Sequence, residues 1–190
     1  GGGNVDKQAF EKLLTAGEFG DDVPGVEQIK PRSAMPASSF GENNTRFLWY
    51  PYLPIGDYSV LMASGGTGKT ILCCGIAAAV STGATLPGQE SSGEGKPVLI
   101  ISAEDSGEIL KERLELSGAD LNKVFILDCS ASIGMNFSTN YEEFELTVKE
   151  HNPALVIVDP WHAFLGESID VNRINAVRPV FQRLARLSKT

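Results

Sequence analysis

The feature that most constrains the fold is a glycine-rich segment, Ala-Ser-Gly-Gly-Thr-Gly-Lys-Thr, at positions 63–70. It stands between a predicted apolar strand and a predicted helix. Glycines let the backbone curl so that successive N–H groups converge on an anion, and the helix that follows adds its N-terminal dipole. The pattern therefore predicts a phosphate-binding loop. Its first position, usually glycine, is Ala63 here, at the strand end and outside the part that wraps phosphate.

The residues of this loop have separate predicted roles. Lys69 brings a positive charge to the β- and γ-phosphates of a nucleotide, and the Thr70 hydroxyl is a predicted Mg²⁺ ligand. ATP is preferred over GTP, because Asn122-Lys123 is not followed by the remainder of a guanine-recognition signature. The predicted nucleotide-binding residues are Ser64, Gly65, Gly66, Thr67, Gly68, Lys69, Thr70 and Ile71.

Predicted strands and helices alternate through the rest of the chain. The strands are Tyr58–Ala63, Pro97–Ser102, Val124–Leu127 and Ala154–Asp159. The helices are Lys69–Val80, Ser106–Ser117, Tyr141–His151 and Asp170–Ser188, the last with Pro179 as an expected kink or break. Strands that are apolar on both faces, each followed by a helix, predict an α/β fold. Its sheet is mainly parallel, with helices on both faces.

Two acidic side chains lie at or just beyond the carboxyl ends of predicted strands. Asp159 ends Ala-Leu-Val-Ile-Val-Asp, and an acid at the carboxyl end of a buried strand faces the crevice where ligands bind. Its predicted role is that of the Walker B acid, which holds Mg²⁺. Glu104 is the predicted base that orients the attacking water, because Pro160 occupies the position directly after Asp159. Two alternatives stay open: Glu104 as a charge at the next helix N-terminus, and Asp105 as an aid to Mg²⁺.

Three motifs together resemble one family, the RecA-like ATPases of the plasmid RepA type. They are Leu-Pro-Ile-Gly-Asp-Tyr-Ser-Val-Leu-Met-Ala-Ser-Gly-Gly-Thr-Gly-Lys-Thr, Ile-Ser-Ala-Glu-Asp and Asp-Pro-Trp-His-Ala-Phe-Leu-Gly. Members are hexameric replicative helicases and related phage and mobile-element ATPases. The resemblance covers roughly Arg46–Thr190 and implies a RecA-like P-loop NTPase fold.

By this resemblance Lys69 and Glu104 are catalytic, while Thr70 and Asp159 hold Mg²⁺. The implied activity is ATP hydrolysis by the motor domain of a DNA helicase or translocase in replication. The implied cofactors are ATP and Mg²⁺. The implied partners are further copies of the chain and single-stranded DNA. The copies would form a ring, which is a hexamer in this family.

The same resemblance implies one more strand after the last helix, lying between the strands Tyr58–Ala63 and Ala154–Asp159. We therefore expect the core to be truncated at its C-terminus. We also expect those two strands to be separated by a gap or bridged by a foreign strand, since unpaired main-chain groups inside a sheet are costly. The 190-residue chain alone is expected to hydrolyse ATP poorly.

Charge keeps a second class of function open. The net charge of −8 argues against a general nucleic-acid coat, because polyanion binding is mostly phosphate neutralisation. It favours a P-loop switch that regulates a partner without moving along DNA. A phosphotransferase (kinase) is disfavoured by the lack of an arginine-rich lid segment. Basic residues gather near the end of the chain, where a solvated helix face is the simplest interpretation: Arg173, Arg178, Arg183, Arg186 and Lys189.

Domain organisation follows from composition. Residues 1–45 are predicted to form a short helix, Gln8–Phe19, and an extended arm or linker, with the ATPase core at 46–190. No apolar run reaches the roughly 18 residues of a membrane span. Three cysteines without metal spacing suit a reducing cytoplasm, so a cytoplasmic protein without a membrane partner is expected.

Two aromatic groups each have two open interpretations. Phe47, Trp49, Tyr50 and Tyr52 either stack on adenine or pack at the sheet edge. Trp161, His162 and Phe164 either form a γ-phosphate-sensing or inter-subunit loop, or pack in the core.

Overall fold

The computed structural model describes residues 34–42, 44–89, 93–131, 134–139, 141–166, 169 and 173–189. The chain divides into two units, Gly1–Asn43 and Asn44–Thr190. The described part of the first unit contains one turn of 3-10 helix, Ala37–Ser39, in which the Ser39 hydroxyl donates to the Pro36 carbonyl at 2.7 Å. The predicted helix Gln8–Phe19 lies outside the described residues.

After a short antiparallel pair that was not predicted, the second unit alternates helices and strands in the predicted order, except that the predicted strand Tyr58–Ala63 is absent. Its elements are β1 (Phe47–Trp49), β2 (Leu53–Pro54), α1 (Lys69–Thr82), β3 (Val98–Ser102), α2 (Gly107–Leu116), β4 (Val124–Asp128), α3 (Tyr141–His151), β5 (Leu155–Asp159) and α4 (Ile174–Leu187). Helix α4 runs through Pro179 without interruption. The predicted kink or break therefore does not divide it.

The main sheet is parallel, with the strand order β4-β3-β5 among the described residues. The central strand β3 is buried along its whole length, and its last residue, Ser102, lies opposite both Asp128 and Asp159. The carboxyl ends of all three strands therefore reach the same edge. In a parallel α/β sheet this edge is where ligands bind.

Alternate residues of β3 face two separate cores, as the pleat of a strand requires. Val98 and Ile100 pack against α1 and α2, through Cys74, Ala77, Leu110 and Leu114. Leu99 and Ile101 pack on the other face against α3, α4 and the segment before α3, through Phe144, Val177, Val180 and Phe137. The expected α/β architecture of the RecA-like P-loop class, with helices on both faces of a parallel sheet, is confirmed.

The predicted strand Tyr58–Ala63 is wrong for the structure as described. The segment forms no ladder with any described strand, and its apolar side chains are exposed, Leu61 at 48% and Met62 at 84%. A strand needs a neighbour for its N–H and C=O groups as well as an apolar sequence. Within the described residues no main-chain pairing joins this segment to β5. Because the segment is not a strand here, the expected gap or foreign strand between two strands stays a prediction.

The aromatic residues before the loop belong to the β1–β2 pair. Trp49 donates its indole N–H to the Pro87 carbonyl at 2.8 Å, and its ring contacts Tyr52 at 4.8 Å between centroids. Gln89 donates to the Leu48 carbonyl at 2.8 Å. These contacts anchor the pair to the segment after α1. They do not bear on adenine stacking, which stays a prediction.

Candidate nucleotide-binding site

The glycine loop takes a conformation that two of its glycines make possible. Gly66 has φ +74° and Gly68 has φ +85°, in the left-handed region that residues with a Cβ avoid. A Cβ at either position would meet nothing within 4 Å. Glycine is therefore required at these two positions by the backbone angle and not by lack of room. The space above the loop is open to a ligand.

The N-terminus of α1 faces this open space. The first helical hydrogen bond runs from the Leu72 N–H to the Gly68 carbonyl at 3.0 Å. The N–H groups of Lys69, Thr70 and Ile71 precede that bond, and such groups have no partner within a helix. Donors placed in this way are what an anion site at a helix N-terminus requires, and their binding of phosphate stays a prediction. The Ile71 side chain is 65% exposed, so only its main chain suits this role.

Lys69 folds back over the loop that precedes it. Its ammonium group donates to the carbonyls of Ala63 and Ser64, at 3.0 Å in each case. The Thr67 hydroxyl also donates to Ser64, at 2.8 Å, and so tightens the turn. The positive charge is thereby held beside the loop that is predicted to bind phosphate.

Thr70 and Asp159 meet at the edge of the sheet. The Thr70 hydroxyl donates to Oδ2 of Asp159 at 2.8 Å, in a partly buried position. Thr70 lies in the first turn of α1 and Asp159 is the last residue of β5. A hydroxyl and a carboxylate oxygen suit Mg²⁺, which takes few protein ligands and leaves the remaining positions to water and phosphate.

Glu104 lies in the loop between β3 and α2. The Ala103 N–H donates to the Asp159 carbonyl at 3.1 Å, which joins this loop to the end of β5. The Glu104 side chain is exposed. The structure therefore brings the main chain that carries Glu104 to the same edge as Thr70 and Asp159.

Two other acids lie at the N-terminus of α2, where a helix-terminal role was the alternative for Glu104. Asp128 accepts a hydrogen bond from the Gly107 N–H at 2.6 Å, and Glu108 lies in the first turn of α2. The pKa of Glu108 is lowered by hydrogen bonds from its own main chain and from Ser106. Asp105, the other candidate, pairs with Arg113. Glu104 thus remains the acid of this loop that stands free to meet a ligand.

A sequence profile for the AAA domain matches residues 31–190. The chain belongs to the AAA domain family. This membership makes it a P-loop protein with nucleotide-binding ATPase activity. No curated protein matches the sequence.

Other features of this AAA domain follow from the coordinates. Among the described residues, no helix is both long enough and apolar enough to cross a membrane. In the same part of the chain, no cluster of three or more His, Cys, Asp or Glu side chains could hold a metal by itself.

Cys73 lies one turn of α1 beyond Thr70 in this AAA domain. Burial, together with the negative charge of Asp159, raises the pKa of the Cys73 thiol from 9.0 to about 11. The thiol is therefore neutral near pH 7 and adds no charge to the site. Cys74 and Cys129 are buried and form no disulfide.

Two residues around the AAA-domain site escaped the sequence analysis. Asp128 ends the apolar run of β4 just as Asp159 ends β5, so the same signal could have identified it. Arg113 stands in the middle of a helix and had no such signal. Trp161 and Phe164 pack in the core, with Phe164 fully buried, whereas His162 is exposed.

Proposed function

We propose that this AAA domain is the ATP-hydrolysing motor of a DNA helicase or translocase that works in replication as a homo-oligomeric ring in the cytoplasm. The observation that carries the ATPase part is the meeting of Thr70, Asp159 and the Glu104 loop at one edge of the sheet. The helicase part, the ring and the single-stranded DNA partner rest on the resemblance of the three motifs to RepA-type ATPases.

The proposed division of labour follows from the chemistry of each group. The loop N–H groups and the Lys69 ammonium bind the β- and γ-phosphates of ATP. Thr70 and Asp159 hold Mg²⁺, which when bound neutralises phosphate charge. Glu104 accepts a hydrogen bond from the attacking water and directs it toward the γ-phosphorus. Asp159 also fixes the Glu104 loop through its carbonyl.

ATP turnover by the full-length protein, measured with and without single-stranded DNA, tests the proposal. We expect turnover that DNA stimulates, and a single assembled species of fixed mass in the presence of ATP and Mg²⁺. Lys69→Ala should abolish both basal and stimulated turnover. An exposed residue on another element offers a control, since Lys149→Ala removes only a surface pair with Glu145.

The net charge of −8 favours a second candidate, a P-loop switch that regulates a partner. A switch would bind and hydrolyse ATP at a rate that DNA leaves unchanged. That result would reject the helicase proposal and retain the ATPase. Lack of any ATP turnover in the assembled protein would reject both.

A further inference from the structure

The loop that carries Glu104 is fixed to the sheet at its beginning. Ser102 is buried, and its hydroxyl donates to the Asp105 carbonyl at 2.9 Å and accepts from the Asp105 N–H at 3.1 Å. The Ser102 carbonyl accepts from the Cys129 N–H at 2.8 Å. Together with the bond from Ala103 to Asp159, these contacts leave the main chain around Glu104 little freedom.

The far end of the loop is fixed from β4. Oδ2 of Asp128 accepts the Gly107 N–H at 2.6 Å, while its other oxygen accepts from the main chain and hydroxyl of Ser130, at 2.9 and 2.6 Å. A Cβ added at Gly107 would lie 3.4 Å from that same Oδ2. The start of α2 is therefore pressed close against the end of β4.

One side chain of the loop is tied as well. The Asp105 carboxylate forms a hydrogen-bonded ion pair with the Arg113 guanidinium. Side chains of a helix lean toward its N-terminus, which lets Arg113 reach back along α2 to the loop. Both side chains are partly buried, with exposures of 36% for Arg113 and 21% for Asp105.

Glu104 and Asp105 are adjacent, yet their side chains are in different environments. The Asp105 side chain is half-buried and forms an ion pair with Arg113, whereas the Glu104 side chain is exposed. Holding Asp105 on one side of the loop fixes the peptide unit between the two residues. The direction in which Glu104 leaves the main chain is then set before any substrate binds.

We propose that Asp105, held by Arg113, is a positioning residue that directs the Glu104 carboxylate during ATP hydrolysis. Asp105 is then neither the base nor a ligand of Mg²⁺. The inference rests on the proposed ATPase function and adds two residues to it. A misplacement of a reacting group by about 1 Å can cost on the order of 100-fold in rate, so a loosened loop should slow chemistry without weakening nucleotide binding.

The test compares Asp105→Asn and Arg113→Ala in the full-length protein by kcat, KM for ATP, ATP affinity and melting temperature. We expect kcat to fall at least about 10-fold, with KM and affinity changed less than about twofold. Arg113→Lys should recover part of kcat, because it keeps the charge. The double variant should be no slower than the slower single one, since the pair acts as a unit.

Helix α2 supplies a matched control. Lys111 and Glu115 form an ion pair at 3.4 Å on the same helix, with side-chain exposures of 63% and 51%. Lys111→Ala should leave kcat and KM unchanged. A general weakening of α2 would lower kcat in this variant also and would overturn the inference.

Other outcomes separate the inference from the function on which it rests. Normal kcat in Asp105→Asn and Arg113→Ala, while Glu104→Gln is slow, would overturn the positioning role and leave the ATPase intact. A raised KM with normal kcat would show that Arg113 contacts the nucleotide, and this result would also overturn the positioning role. If both variants lose their melting transition, the pair is a folding element and the positioning role is rejected. Inactivity of the unaltered protein would reject the ATPase itself.

Discussion

Thr70 donates a hydrogen bond to Asp159 at 2.8 Å across 89 positions of sequence. The bond connects the first turn of α1 to the carboxyl end of β5. Two motifs that were recognised separately in the sequence thus converge on one pair of oxygen atoms. Because the pair is partly buried, it contributes to the stability of the fold as well as to the proposed Mg²⁺ site.

Thr70→Val should weaken both properties. Valine keeps the shape and removes the donor, so we expect the free energy of unfolding to fall by about 1.5 kcal/mol, the loss typical for a hydrogen bond to a charged group. The stimulation of ATP binding by Mg²⁺ should also diminish. Urea unfolding and calorimetric titration with and without Mg²⁺ would measure these effects. Full Mg²⁺ dependence in the variant would contradict the ligand assignment.

Lys69→Ala should weaken nucleotide binding with the fold unchanged. The variant loses the charge now held by the Ala63 and Ser64 carbonyls, while the N–H groups of the loop remain. We expect ATP affinity to fall at least about tenfold, or roughly 1.4 kcal/mol. Isothermal titration with Mg-ATP is the measurement, and an unaltered dissociation constant would remove the phosphate-loop assignment.

Glu104→Gln should separate binding from chemistry. The amide keeps the shape of the side chain and loses the basic oxygen, so ATP should bind normally and turn over on the order of 100-fold more slowly. Glu108→Gln provides the opposite pattern as a control. It removes a charge from the first turn of α2 and should lower stability with normal turnover. Normal turnover in Glu104→Gln would show that Glu104 is a surface acid without a catalytic role.

Asp128→Asn should change how the free energy of unfolding depends on pH in the acidic range. Hydrogen bonds from Ser130, by side chain and then main chain, and from the Gly107 N–H lower the pKa of Asp128 below its usual 3.8. The folded protein therefore binds this proton more weakly than the unfolded chain. The resulting stabilisation is complete above the unfolded pKa and is lost as the pH falls through the folded one.

The difference in unfolding free energy between the unaltered protein and Asp128→Asn should therefore shrink as the pH falls from the usual carboxyl pKa of 3.8 through the lowered pKa of Asp128. Denaturant titrations across this range would show it. Ser130→Ala removes only one of the donors and should give a smaller effect in the same direction. A difference that stays constant with pH would mean that the carboxylate charge is not what stabilises the start of α2.

The sequence predicted β3 and β5 well, because their apolar runs pack between two layers of helices, where β3 is fully buried and β5 is partly buried. The run Tyr58–Ala63 has the same character, yet it has no described strand beside it. Composition reports what a segment can bury and does not report which segment will pair with it. The contact between Asp105 and Arg113 was not predicted for a related reason, since it depends on how a loop meets the helix that follows.

Among the described residues β5 lies at an edge of the sheet, and it carries Leu155, Val156, Ile157 and Val158 without the lysines or prolines that usually protect such an edge. Leu61 and Met62 add further exposed apolar surface. A preparation in which these surfaces meet solvent should therefore form open-ended aggregates whose light scattering grows with time and concentration. A closed ring would instead stop at one mass, so scattering kinetics can distinguish functional assembly from edge-to-edge association.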